Sequence, residues 1–496
     1  MDGGKDIDPV PARPDEAQDP SRIGVDDWVA SHEGRRDRGE GLLAEIRTEL
    51  ERVPRPAFFA GFGVAAALLP LFTSNDYIVR VGFDTLLYML LALGLNIVVG
   101  YAGLLDLGYV AFYGFGAYGY AMLASPKFGL HWDTLAIIPV VVVATAILGF
   151  LVALPSRRLL GDYLAIVTLF FGQLFVTVYQ NGNRISFLGL TRSYDLTGGP
   201  NGIPDVDNYD LGGLHIGSVR GYYYVALIIF LLVLGCVYLV DLSRTGRAWK
   251  SLREDPLAAE LMGIPVKRLK LIAFACGAGI AGLTGTLFAG LNTAVFSANF
   301  DVATLIIVYA ILILGGAGSL GGVILGALVV NVSLEVLRTP GHATWIFYVV
   351  LAATLIAKVR PWKRLAVLLV ATIGLGYAAH AIVSSAWPRG VEGSASVGGW
   401  FGDGLNGWEL HPSNPRFIGN LAFVALVFAV LLLTMIDGWK RLAALVPTLY
   451  LASFVWENRL VVEPSITRLI LIGVILIVLM NARPQGLLGT SRVEIV

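Results

Sequence analysis

Polar and apolar positions in this chain fall into long blocks, not short alternations. After a polar opening, apolar runs recur near 57–73, 82–99, 103–124, 134–154, 163–180, 221–241, 271–291, 302–315, 321–338, 344–358, 365–384, 418–436, 441–456 and 465–481. A bilayer core about 30 Å thick takes roughly 20 residues of helix, and in lipid a helix satisfies its own backbone. The pattern predicts an all-α, polytopic integral membrane protein with about 14 transmembrane helices. It divides into a polar N-terminal region (1–56), a core of spans (57–338), an additional transmembrane insert (339–463), and a last span with a polar tail (464–496). In the N-terminal region, residues 1–30 have too little apolar surface to fold. Glu40–Val53 reads as an interfacial helix with Leu42, Leu43, Ile46 and Leu50 on one side. With no early apolar run, a cleavable signal peptide is excluded.

One polar island interrupts the core, Arg244–Lys270, RTGRAWKSLREDPLAAELMGIPVKRLK. It holds seven cations: Arg244, Arg247, Lys250, Arg253, Lys267, Arg268 and Lys270. Asp255-Pro256 reads as an N-cap followed by proline at the first helical position, and Gly263 and Pro265 stop the helix after about two turns. Leu257, Leu261 and Met262 give it an apolar side; Glu254, Asp255 and Glu260 keep it soluble. Two turns do not hold a helix alone in water, so this one predicts either a docking element lying in a partner's groove or an ordinary basic loop that fixes orientation.

Charge places the island. With the N-terminus inside, the loops on that side carry 26 of the 36 lysines and arginines, which puts both termini and Arg244–Lys270 in the cytoplasm. The composition, 56% hydrophobic and 15% charged against about a quarter charged in soluble domains, supports the membrane reading. Zero formal net charge gives no support to nucleic-acid binding. Cys236 and Cys276 both fall in apolar runs, and the six histidines are scattered, so no metal and no cofactor is expected. The only Gly-Lys pair, Gly4-Lys5, lacks the Ser/Thr of a phosphate-binding loop.

Two glycine clusters mark candidate translocation residues. The third apolar run, GYAGLLDLGYVAFYGFGAYGYAML, alternates glycine with tyrosine; Tyr109, Tyr113, Gly114 and Gly116 either line a path or pack helices closely. Asp106, an acid inside an apolar run, is a gating candidate or an interfacial group. Asn96, one run earlier, is placed to bond to that backbone. The second cluster, GGAGSLGG, begins at Gly315 and Gly316; it permits a sharp turn in which Ser319 satisfies nearby backbone groups. The spacing of the clusters is compatible with two halves of inverted topology. Glu335 reads as interfacial. The turn-dense TGGPNGI (197–203) either caps the outer mouth, touches an external protein, or is a plain folded loop.

Taken together, GLLDLGYVAFYGFGAY (103–118), GDYLAIVTL (161–169), TGGPNGI, GRAWKSLREDPLAAELMGIPVKRLKLIAFACGAGIAGLTGTLFAG (246–290), ILGGAGSLGGVILGA (313–327) and RPQGLL (483–488) resemble the branched-chain amino acid ABC transporter permeases of the LivM type. Ala258-Ala259 with Gly263 is similar to the A-A-x-x-x-G core of such permeases' coupling loop, with Leu257 where many carry Glu. The resemblance implies a bacterial inner-membrane transport subunit, not an enzyme, moving branched-chain or related amino acids. It implies as partners a second homologous permease, two ATP-binding subunits, and a periplasmic or lipid-anchored solute-binding protein. Arg253, Glu254, Asp255, Leu257, Ala258, Ala259, Leu261 and Gly263 would form the ATPase-coupling element. Between Arg338 and Glu463 the family pattern lapses, which sets the insert apart. A permease for urea or short amides shares these motifs. An ion-driven secondary transporter would instead work alone and need its membrane carboxylates; a membrane enzyme would need a nucleophile–base pair, and none converges.

Overall fold

The structure, a computed structural model, describes residues 55–156, 161–183, 195–210, 212–359, 361–393, 399–436, 438–460 and scattered positions from 467 to 488. The expected N-terminal disorder, the interfacial helix Glu40–Val53 and most of the last expected span lie outside the described residues. The chain divides into two units, Met1–Ala65 and Ala66–Val496. The described part of the first is the opening of helix α1 (Arg55–Phe72), where Phe58 and Phe59 meet edge to face.

The second unit is helical. It runs through α2 (Asp76–Leu95), a π-turn (Asn96–Tyr101), α3 (Tyr109–Leu123), α4 (Thr134–Ser156), α5 (Gly161–Asn181) and α6 (Val219–Leu242). Next come α7 (Arg244–Glu254), α8 (Pro256–Leu261), α9 (Val266–Asn292), α10 (Val302–Gly315), α11 (Leu320–Val336) and α12 (Pro340–Lys358). The insert adds α13 (Trp362–Ala386), α14 (Gly399–Trp408), α15 (Pro415–Met435), α16 (Gly438–Val455) and a second π-turn, Trp456–Leu460. Two short strands, β1 (Tyr209–Asp210) and β2 (His215–Ile216), pair antiparallel in the loop before α6.

A helix is expected wherever the first thirteen apolar runs lie, and each has one. Among the described residues, eight helical stretches are long and apolar enough to cross a membrane; α11 and α12, bent by 116° at their junction, make nine if taken as one span. The third run differs from its expected bounds. Its helix begins only at Tyr109, and residues 102–108 form a loop, so α3 covers about 22 Å and falls short of a full crossing alone.

Burial separates inner from outer helices. The span Asp76–Tyr101 is 78% buried and α9 is 67% buried, whereas α13 and α15 are 17% and 11% buried. α9 is central, packing against α2, α3 and α4, and α2 packs against α6 and α11. Small residues set these crossings: a side chain at Gly116 would strike the backbone of Gly282, and one at Gly285 the backbone of Tyr113. In the insert, α16 packs on α13 and α15, and Leu449 joins Leu355, Leu365 and Leu368 in one apolar cluster that ties it to α12.

Candidate functional site

The polar island folds into two short helices. Asp255 Oδ1 accepts from the Leu257 and Ala258 amides at 2.8 and 3.1 Å, Pro256 follows, and Gly263 takes the left-handed conformation (φ +80°) that ends α8. Ala259 is buried, while Leu257, Leu261 and Met262 are 71%, 83% and 83% exposed. The helix thus presents three apolar side chains outward.

Sequence reasoning missed α7. Ser243 caps it by accepting from the Gly246 amide at 3.3 Å, and Gly246, Trp249 and Leu252, three apart, form its buried face. That spacing after a serine was the available signal. Trp249, almost fully buried, donates through Nε1 to the Leu269 carbonyl at 3.0 Å, fastening α7 to the start of α9. Lys250 pairs with Asp241 at 2.6 Å and lies over the Tyr101 ring.

Arg253, one residue of the expected coupling element, turns inward. Its Nη1 donates to the Gly100 carbonyl, at the end of the first π-turn, and to the Ala317 carbonyl at 3.4 Å, in the turn between α10 and α11. Asn96 joins the same two places, its Oδ1 accepting from the Gly318 amide at 2.8 Å. Gly318 (φ +91°) and Gly103 (φ +68°) sit against Arg253: a Cβ at Gly318 would lie 2.7 Å from Nη1, and one at Gly103 3.1 Å from Arg253 Cα. Ser319 Oγ accepts from the Gly322 amide and caps α11, as expected of it. The glycine clusters therefore meet, and Gly315 and Gly316 lie at this meeting point. From the C-terminal motif, the Leu487 and Leu488 amides donate to the Leu314 and Gly315 carbonyls at 2.8 and 3.1 Å.

The remaining candidates are buried. Asp106 is nearly inaccessible; its Oδ1 accepts from the Gly108 amide at 2.9 Å, its carbonyl accepts from Tyr309 OH at 2.7 Å, and its Oδ2 has no hydrogen bond. The adjacent Leu107 amide donates to Thr168 Oγ1 at 2.9 Å, so the loop is held between α5 and α10. Tyr109 is fully buried with its hydroxyl unbonded. Tyr113 packs edge to face on Phe288 and Phe300, Gly114 faces Phe175 and Phe300, and Gly116 is spent on the α3–α9 crossing. Beside them runs a shallow cleft lined by Gly108, Ala111, Gly172, Gln173, Phe300 and Leu305. Glu335 accepts from Tyr77 OH and pairs with Arg338 at 3.2 Å, a half-exposed network.

At the far ends of α3 and α4, opposite the polar island, the loops enclose a cavity of about 760 Å³ bearing Asp133, Asp207, Asp210, His131 and His215. His131 pairs with Asp207 at 2.5 Å and His215 with Asp210 at 3.0 Å. TGGPNGI is a folded loop here: Thr197 Oγ1 donates to the Tyr179 carbonyl at 2.7 Å, and Ile203 bridges Val295 through two 3.0 Å hydrogen bonds.

The family model described as "Branched-chain amino acid transport system / permease component" matches residues 77–359. The chain is 37% identical over 309 residues to the high-affinity branched-chain amino acid transport system permease protein LivM of Escherichia coli (strain K12), covering 58% of this chain and 69% of that protein. It is 25% identical over 232 residues to a probable branched-chain amino acid transport permease protein LivM of Methanocaldococcus jannaschii, covering 43% of this chain and 63% of that protein. Against the permease protein LivH of Salmonella typhimurium, from the same type of system, identity is 24% over 258 residues, covering 50% of this chain and 80% of LivH. No solved structure matches the chain.

Proposed function

The chain belongs to the family of permease components of branched-chain amino acid transport systems, and from that premise we propose that it is half of the translocation pathway of an ATP-driven importer in a bacterial inner membrane. A second, homologous permease supplies the other half, and similarity to both LivM and LivH proteins supports such a pairing. Two ATP-binding subunits engage the chain on the cytoplasmic side, where the charge asymmetry sets Arg244–Lys270 and both termini. A solute-binding protein delivers leucine-, isoleucine- or valine-like substrates on the opposite side, above the acidic cavity.

The observation that carries this reading is α8. Two large apolar side chains on a six-residue helix, and Met262 at its C-cap, stand exposed on an element that cannot pack them itself. A groove on an ATP-binding subunit would cover Leu257, Leu261 and Met262, with Ala258 at the contact and Glu254, Asp255 and Gly263 shaping its ends. Closure of those subunits would shift the pathway between outward- and inward-open states. Asn96 bonds to the α10–α11 turn that Gly315 and Gly316 open, and Asp106, Tyr109, Tyr113, Gly114 and Gly116 form the adjoining wall.

The test changes Leu257 and Leu261 together to Asp in the full complex reconstituted in liposomes. Transport is expected to collapse while substrate no longer stimulates ATP hydrolysis; normal transport by this variant would refute the coupling role. Uptake by the purified chain alone on an ion gradient would refute the importer-subunit reading as a whole.

A further inference from the structure

We propose that Arg253 is the positioning residue that transmits movement of α8 to two turns at once, the end of the first π-turn and the α10–α11 turn; this rests on the coupling reading above. Arg253 stands two residues before the Asp255 cap, on the N-terminal side of α8, so displacement of α8 is passed to it through the cap. Its acceptors are 153 and 64 positions away in sequence and belong to different elements, the end of the first π-turn and the α10–α11 turn. Both are backbone carbonyls at the ends of helical segments, where unsatisfied oxygens carry partial negative charge. A guanidinium suits this place because its planar fork of donors serves two acceptors in fixed geometry, whereas an ammonium acts as a point charge on a flexible stem.

The surroundings are shaped to the same side chain. Gly103 and Gly318 both adopt positive φ and both leave space that a Cβ would take from Arg253. The Asn96–Gly318 hydrogen bond joins the π-turn to the α10–α11 turn directly, so a pull on either is shared. Trp249, bonded to Leu269, supplies the fixed point about which α7 turns. Leu257, Leu261 and Met262 receive the push and Arg253 delivers it, from opposite sides of one short link.

The experiment measures substrate molecules moved per ATP hydrolysed by the assembled complex in liposomes, for Arg253→Ala, Arg253→Lys, Gly318→Ala and the Leu257/Leu261 double variant. Arg253→Ala is expected to lower that ratio about tenfold or more, the scale of one lost charge-assisted hydrogen bond. Arg253→Lys restores part of it, since one carbonyl stays within reach. Gly318→Ala, which retains the arginine but crowds Nη1, lowers it as well. A normal ratio in Arg253→Ala, with the double variant uncoupled, overturns the role of Arg253 and leaves the coupling reading standing. A normal ratio in the double variant overturns both. If Arg253→Ala does not assemble, normal ratios in Arg253→Lys and Gly318→Ala overturn the proposal.

Discussion

Asp255 shows how much one side chain settles locally. It holds two of the free amides of α8, a helix too short to persist without them. Replacing an N-cap aspartate by alanine costs about 0.5–2 kcal/mol. Asp255→Ala should therefore speed amide exchange at Leu257 and Ala258 while leaving the melting temperature of the whole chain in place, since the rest of the fold does not lean on α8. Equal exchange in both proteins would show that the cap does not hold the helix. This cap, the proline after it and the stop at Gly263 are legible in the sequence because their physics is complete within nine residues. The direction of Arg253 is not: both its acceptors come from distant segments, and a cation in a basic loop gives no sign of which way it turns.

Among elements, α3 and α9 approach closely, with Gly116 against Gly282. Gly116→Val would force these helices apart; overpacking a tight crossing costs on the order of 1–3 kcal/mol or more. A lower melting temperature in detergent is expected, and an unchanged one would mean the crossing is looser than drawn. The glycine-tyrosine alternation left packing and path-lining open, and at Gly116 the three atoms nearest an added Cβ all belong to the backbone of Gly282 in α9. Apolar runs revealed helices but not their interruptions: the marks within 102–108, Gly103, Asp106 and Gly108, read as packing or gating features of a span and not as a loop before α3. α7 was hidden for the converse reason, its three inward positions being diluted by charges on the other face.

Across the whole molecule, burial falls from the inner helices α2 and α9 to α13 and α15 of the insert, which the family match to residues 77–359 does not include. The insert nonetheless has polar chemistry of its own. Glu409 is fully buried, and burial, then the nearby Glu457 charge, push its pKa well above the usual carboxylate range against a hydrogen bond from Ser453. A carboxyl whose folded pKa is raised stabilises the fold below its unfolded pKa, and that stability is lost as pH rises through the folded value. His411 beside it, its pKa lowered by burial, acts in the opposite sense and weakens the fold below about pH 6.5. As pH rises above the ordinary glutamate value of about 4.3, the wild-type melting temperature is expected to fall relative to that of Glu409→Gln. Identical profiles would place the Glu409 proton elsewhere.

The C-terminal motif has a consequence for biosynthesis. Leu314 and Gly315 leave the ribosome about 170 residues before the Leu487 and Leu488 amides that bond to them, an interval on the order of ten to thirty seconds at ordinary elongation rates. Throughout that time the nascent protein holds two bare carbonyls at the kink between α10 and α11. The end of α10 is thus closed by a segment made much later, and a ribosome that stalls between the two leaves that turn without these two bonds.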